Sequence, residues 1–186
     1  WNARGVDNAL TLARLRKLKR LHQILLLALC EPMVDREHLD IVHRKLGFPF
    51  GVSNDESRIW VFYDAEYKCD IVAVSHQFLA LQIAYTYFRR SFIATFIHAS
   101  CDLDECELFW LQLSKVHSLG EPTIFMGDFN VVVGSEEKKG GRPFRFSEAE
   151  SFLNFTDGAG LTDLGFSGSK FTWCKCAIIV WEGLES

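Results

Sequence analysis

Two textures alternate along the chain: short unbroken apolar runs, and longer stretches whose apolar residues return every third or fourth position. The first reads as buried strand and the second as amphipathic helix. Trp1 to Gly5 reads as a strand end running into a turn, after which Asp7 or Asn8 is placed to cap a helix. Leu10, Leu15, Leu18 and Leu21 give that helix a loose apolar stripe, and Arg14, Arg16, Lys17, Lys19 and Arg20 surround it as a basic run that either touches phosphate or forms a solvated face. Gln23 to Ala28 is too short for a stable helix and reads as a strand buried on both faces, running on to Cys30-Glu31-Pro32. A carboxylate ahead of the proline that stops a buried strand is presented at the rim of a sheet. Asp35 is the predicted cap of a second helix that carries Leu39, Val42 and Leu46 and ends at Gly47.

From Arg58 to Ala99 the pattern becomes β-rich, with strands expected at 59–63, 70–75, 78–85 and 92–98 in an antiparallel region. Helical spacing returns over Leu103 to His117, with Cys106, Phe109, Trp110, Leu113 and Val116 inward. Pro122 to Met126 is another buried strand and leads straight into Gly127-Asp128-Phe129-Asn130. A polar, glycine-rich loop follows from Ser135 to Phe146. Ser147 and Glu150, in capping-box spacing, then open a helix carrying Phe152, Leu153 and Phe155. Leu161 to Phe166 and Phe171 to Cys174 read as closing strands. Interleaved helices and strands, without repeats or linkers, predict one α/β domain.

Composition bounds what such a domain does. With 186 residues, 48% hydrophobic and 24% charged, the chain can bury a core, which excludes disorder and low-complexity fibres. A net charge of -4 makes the surface as a whole no trap for polyanions, so any nucleic-acid contact is local or metal-mediated. No apolar run approaches the roughly 20 residues that span a bilayer, so a soluble protein without a membrane partner is expected. The six cysteines show no CxxC and no zinc-type pairing, which predicts reduced thiols in an intracellular protein. Trp1 stands first, without a signal peptide behind it, and the chain reads as a piece of a longer frame.

The sharpest chemical signal is Gly127-Asp128-Phe129-Asn130. Glycine lets the chain turn at the sheet rim, and Asp128 and Asn130, two apart, either share a site there or close an Asx turn. Glu31 and Asn2 add a second acid and a second amide. The set is oxygen-rich, of the kind Mg²⁺ takes when one or two carboxylates, waters and a substrate phosphate complete its shell.

Trp1-Asn2-Ala3-Arg4-Gly5, the strand ending in Glu31, Gly127-Asp128-Phe129-Asn130 and Phe171-Thr172-Trp173 stand in an order that resembles the endonuclease/exonuclease/phosphatase superfamily, the deoxyribonuclease I-like fold. Glu136 to Phe144, Leu161 to Phe166 and Gly168 to Cys174 resemble one branch of it, the endonuclease domain of plant non-long-terminal-repeat retrotransposons. The likeness covers residues 1–174, leaving 175–186 as a divergent tail. It implies a four-layered α/β/β/α sandwich lacking its last strand or strands. The implied activity is Mg²⁺-dependent hydrolysis of a DNA phosphodiester, with Mn²⁺ as a substitute, in the nucleus and beside a reverse transcriptase in the parent frame. Carried over by position, Glu31 would be the main metal ligand and Asn2 would help hold metal or phosphate. Asp128 would orient or deprotonate the attacking water, and Asn130 would hydrogen-bond the phosphate. Lys138, Lys139, Arg142 and Arg145 would meet the DNA backbone, or simply solvate their loop.

Two departures stand against these matches. Where the family usually carries a tyrosine at a strand end, this chain has His98, either a catalytic donor of different reach or a rim residue. The family's late Ser-Asp-His is absent, the last histidine being His117. The expectation is therefore a weak or lost endonuclease activity, the alternative being a non-catalytic remnant that binds nucleic acid or protein. A phosphatase of the same superfamily fits the retrotransposon-like loop less well.

Overall fold

In a computed structural model the described residues are 1–87, 90–100, 102–137 and 143–165. Backbone contacts divide the chain into two compact units, Trp1–Val131 and Val132–Ser186. The first unit contains α1 (Ala9–His22), β1 (Leu26–Cys30), α2 (Leu39–Leu46), β2 (Phe50–Ser53), β3 (Ile59–Tyr63), β4 (Tyr67–Val74), β5 (Phe78–Tyr85), β6 (Ser91–His98), α3 (Leu103–His117) and β7 (Thr123–Asp128).

Two sheets form. One has the order β1-β3-β2, all antiparallel, and the other β4-β5-β6-β7, antiparallel except for the parallel β6–β7 pair. A parallel pair needs a crossover, and α3 supplies it. Strand β3 shows why the layers stack. Successive strand residues point to opposite faces, so Ile59 and Val61 join Leu79, Leu81, Ile83, Ala94 and Phe96 in a core between the sheets. Trp60 and Phe62 point the other way and meet Leu12, Leu15, Leu39, Val42, Leu46 and Phe48 beneath α1 and α2. Beyond the second sheet, Phe109, Trp110, Leu113 and Val116 of α3 are buried, and the Phe109 ring packs 6.4 Å from Phe78 of β5. The order is helix, sheet, sheet, helix, as the resemblance implies.

Several local expectations need correction. The buried stripe of α1 is Leu12 and Leu15, while Leu10 and Leu21 are 78% and 67% exposed. Hydrophobicity at helical spacing does not say which of two overlapping stripes meets the sheet. Asn8, not Asp7, accepts from Leu10 N as the cap of α1. The first strand begins later than its apolar run, at Leu26, because Gln23 takes a left-handed conformation to end α1. Asp35 makes no side-chain cap. It flanks a short 3-10 turn, Arg36–His38, and its carbonyl takes His38 N at 2.9 Å. Strand β2, unanticipated, pairs with β3 after the turn at Gly47.

In the second unit, a 3-10 turn spans Phe146–Glu148 and α4 spans Glu150–Gly158, with Ala149 and Phe155 buried. The Ser147–Glu150 capping box does not form. Ser147 sits inside the 3-10 turn, whose Glu148 N and Ala149 N bond to the carbonyls of Arg145 and Phe146, and α4 starts after Ala149 without a side-chain cap. Residues 161–165 form no strand. The strand expected at 171–174 lies outside the described residues, as do Lys138, Lys139 and Arg142.

The sandwich makes a direct demand on Phe62, which is fully buried against His43, Phe48 and Trp60. Phe62→Ala is expected to lower the unfolding free energy by about 3–5 kcal/mol, read from urea denaturation, whereas Leu10→Ala stays within about 0.5 kcal/mol.

Candidate active site

All five site residues expected in the first unit gather at one end of its two sheets. Residues 1–6 run parallel beside the end of β1: Cys30 N donates to Trp1 O, Ala3 N to Cys30 O, Gly5 N to Glu31 O and Val6 N to Pro32 O, at 2.7–3.0 Å. Asn2 thereby stands level with Cys30, one residue before Glu31. Glu31 is held from the other side as well, its N–H donating to Arg58 O at 2.9 Å. Between sheets, the carboxylate of Glu31 meets His98 at the end of β6, with Oε1 to Nε2 at 3.0 Å.

Strand β7 then delivers the last two. Asp128 is the parallel register partner of His98, and Asp128 O accepts from Ala99 N at 2.8 Å. Asn130 Nδ2 donates to Ala99 O at 2.6 Å, and Asn130 N donates to Asp128 Oδ1 at 3.1 Å. The Asx turn and the shared site are thus not alternatives, since one Asp128 oxygen closes the turn that fixes Asn130 at the rim. Gly127 is required by contact: at φ +143°, a Cβ there would lie 2.0 Å from Ile97 O.

Strain collects at this end. Glu31, Met33 and Ser57, three of the six non-glycine residues with positive φ among those described, line one cleft, and Asn130 and Arg4 adjoin its elements. Each such conformation costs on the order of 1–3 kcal/mol and persists only where surrounding bonds over-determine it; the doubly bonded Glu31 meets that condition.

The cleft, about 410 Å³, is lined by Glu31, Pro32, Met33, Val34, Asp35, Glu56, Ser57, Arg58 and His98. Its carboxylates outnumber its one arginine, whose Nε is paired to Glu56 at 3.0 Å. An anion entering so acidic a cleft needs a cation with it. The donor chemistry suits one: Glu31 and Asp128 are carboxylates, and Asn2 Oδ1 is a buried oxygen without a hydrogen-bond partner. Leaving such an acceptor unbonded costs roughly 1–3 kcal/mol, which coordination to a cation offsets. Among the described residues no cluster of three or more His, Cys, Asp or Glu is preassembled for a metal. Waters and substrate oxygens would complete the shell, as Mg²⁺ ordinarily allows.

Two residues missed from the sequence build the site's frame. Asn54, fully buried, donates to Ser75 O and His76 O and accepts from Ile59 N at 2.9–3.0 Å, tying the β2–β3 turn to the β4–β5 turn. Gln77 accepts Ser100 N on its side chain at 2.7 Å and His98 N on its carbonyl at 2.9 Å. In sequence, Asn54 in an Asn-Asp-Glu-Ser stretch reads only as a turn residue. Arg145 is exposed in the second unit.

No protein-family model and no curated protein matches the chain. Solved structures do. The endonuclease domain of TRAS1, a telomere-specific non-LTR retrotransposon, superimposes with a TM-score of 0.64 at 14% identity, over 86% of this chain and 69% of that one. The human Nocturnin catalytic domain gives 0.55 at 17% identity, over 86% and 68%. An endonuclease/exonuclease/phosphatase family protein from Bacteroides thetaiotaomicron gives 0.50 at 18% identity, over 71% and 62%. The chain therefore spans about two thirds of the length of these neighbours. The fold is the deoxyribonuclease I-like α/β sandwich.

Cys30 senses the site electrostatically. Burial above all pushes its thiol from 9.0 up to about 11; the terminal amino group opposes this, while Asp128 and Glu31 add to it. A group whose pKa rises on folding contributes fully below its unfolded value and loses that contribution as pH climbs to the folded one. The wild type is thus expected to lose stability relative to Cys30→Ala between pH 9.0 and about 11, measured by urea denaturation; a difference independent of pH would contradict it.

Proposed function

We infer that the chain is a metal-dependent phosphodiester hydrolase of the DNA endonuclease type, with weak activity on its own. One observation carries this reading: Glu31, Asn2, His98, Asp128 and Asn130, from four separate stretches of sequence, meet at the rim of a deoxyribonuclease I-like sandwich beside an acidic cleft. The TRAS1 endonuclease domain among the structural neighbours supports DNA as substrate. In this reading Glu31 and Asn2 hold Mg²⁺ or Mn²⁺, which would neutralise charge growing on the phosphoryl oxygens. Asp128, fixed by its register with His98, orients the attacking water and takes its proton. Asn130, anchored to Ala99 O, presents its remaining amide capacity to a phosphate oxygen. Lys138, Lys139, Arg142 and Arg145 would contact flanking phosphates, which positions DNA without reading its sequence.

These 186 residues hold no Ser-Asp-His, and without such a general acid or transition-state donor a rate lower by about 10²–10⁴ is expected of them. That absence, with the net charge of -4, also motivates a second reading, a remnant that binds nucleic acid without cutting it.

Incubating the chain with supercoiled plasmid and Mg²⁺ separates these. Slow nicking, abolished by EDTA and by Glu31→Gln, is expected. Robust nicking would contradict the weakness, nicking indifferent to Glu31→Gln would contradict the site, and salt-sensitive binding without cleavage would favour the second reading.

A further inference from the structure

The pair that joins the two sheets at the site is chemically mixed, an imidazole nitrogen against a carboxylate oxygen. His98 Nε2 and Glu31 Oε1 lie 3.0 Å apart, with side chains 14% and 30% exposed, so the pair is accessible from the cleft that both residues line. As a hydrogen bond this spacing is ordinary. It is also the spacing of two neighbouring ligands on one cation: atoms at right angles, each about 2.1 Å from an octahedral ion, stand about 3.0 Å from one another. Neither residue is free to drift from this position. The Glu31 backbone is bonded on one side to Arg58 and on the other to Gly5, and His98 N is bonded to Gln77 O.

Resting on the reading of Glu31 as the metal carboxylate, we propose that Glu31 and His98 bind the divalent cation jointly, and that the imidazole makes the site select a nitrogen-accepting transition ion such as Co²⁺ or Zn²⁺ over Mg²⁺. Mg²⁺ favours oxygen ligands and gives up its waters reluctantly. Affinity for sites containing nitrogen rises along the first-row divalent series, and imidazole suits its later members. Asn2, level with Cys30 one residue before Glu31, offers a buried and unpartnered Oδ1 as a third donor.

Calorimetric titration of the chain with Co²⁺ and separately with Mg²⁺ tests this, using the wild type, Glu31→Gln, His98→Gln and His98→Asp, each checked for its fold by circular dichroism. The other histidines are common to all four proteins and supply the same background. A Co²⁺ site lost about tenfold or more in affinity in both Glu31→Gln and His98→Gln is expected, with the weak binding of Mg²⁺ unchanged in His98→Gln. In His98→Asp the all-oxygen site should bind Co²⁺ more weakly and Mg²⁺ more tightly than the wild type, a narrowing of selectivity that a merely structural histidine would not produce. Full Co²⁺ affinity in His98→Gln, lost only in Glu31→Gln, overturns joint ligation and leaves Glu31 as the metal carboxylate. Wild-type binding of both ions by Glu31→Gln overturns both readings, as does the absence of any Co²⁺ site in the wild type.

Discussion

The site depends on one close approach, the parallel pairing of β7 with β6 at Gly127 and Ile97. No side chain fits there, because a Cβ on residue 127 would lie 2.0 Å from the Ile97 carbonyl oxygen. With glycine in place the two strands reach their common end in step, so that His98 and Asp128 arrive as partners. Displacing β7 by even one residue would turn Asp128 to the opposite face, since side chains alternate along a strand. The Asx turn at Asp128 and the Asn130 bond to Ala99 then hold the chain where it leaves the sheet.

The second sheet must be fixed against the first for this end to become a site. The apolar core between them supplies most of the attraction, but apolar contact is not directional, and alignment comes from polar bonds at the rim. Asn54 ties a turn of one sheet to a turn of the other, Gln77 holds His98 and Ser100, and the Glu31–His98 pair spans the two sheets directly. A fully bonded buried amide such as Asn54 specifies one alignment, since any other leaves its donors and acceptors unpaired. Positive φ at Glu31 and Met33 is tolerated on this frame, and the strain sits where the cleft forms.

Much of this was legible in the residues. Apolar runs located β1, β3, β5, β6 and β7 to within a few positions, and the wheel of Phe109, Trp110, Leu113 and Val116 placed the buried face of α3. Glu31, Asp128 and Asn130 were legible because polar residues at the end of an apolar run stand at the sheet rim, although β7, expected to be buried, is an edge strand whose residues are half-buried or exposed. What was not legible is tertiary. Leu10 and Leu12 both fit helical periodicity, and only the position of the sheet decides which is buried. Phe50-Gly51-Val52-Ser53 carries too few residues to announce a strand, and its pairing partner β3 makes it one. Ser147 and Glu150 have capping-box spacing, yet Ser147 lies inside the 3-10 turn before α4, and Ala149, which has no side-chain acceptor, takes the cap position. That His98 would touch Glu31, 67 residues away, follows from how the sheets face each other and from no local pattern.

The central claim is that the Gly127–Ile97 approach seats the site, and Gly127→Ala tests it most directly through amide chemical shifts combined with urea denaturation. The account predicts a loss of about 1–3 kcal/mol from forced overpacking, with shifts concentrated at Ile97, His98, Ala99, Asp128, Asn130 and Glu31 and little change in α1 and α2. A variant of wild-type stability whose His98 and Asp128 amides do not move would contradict it.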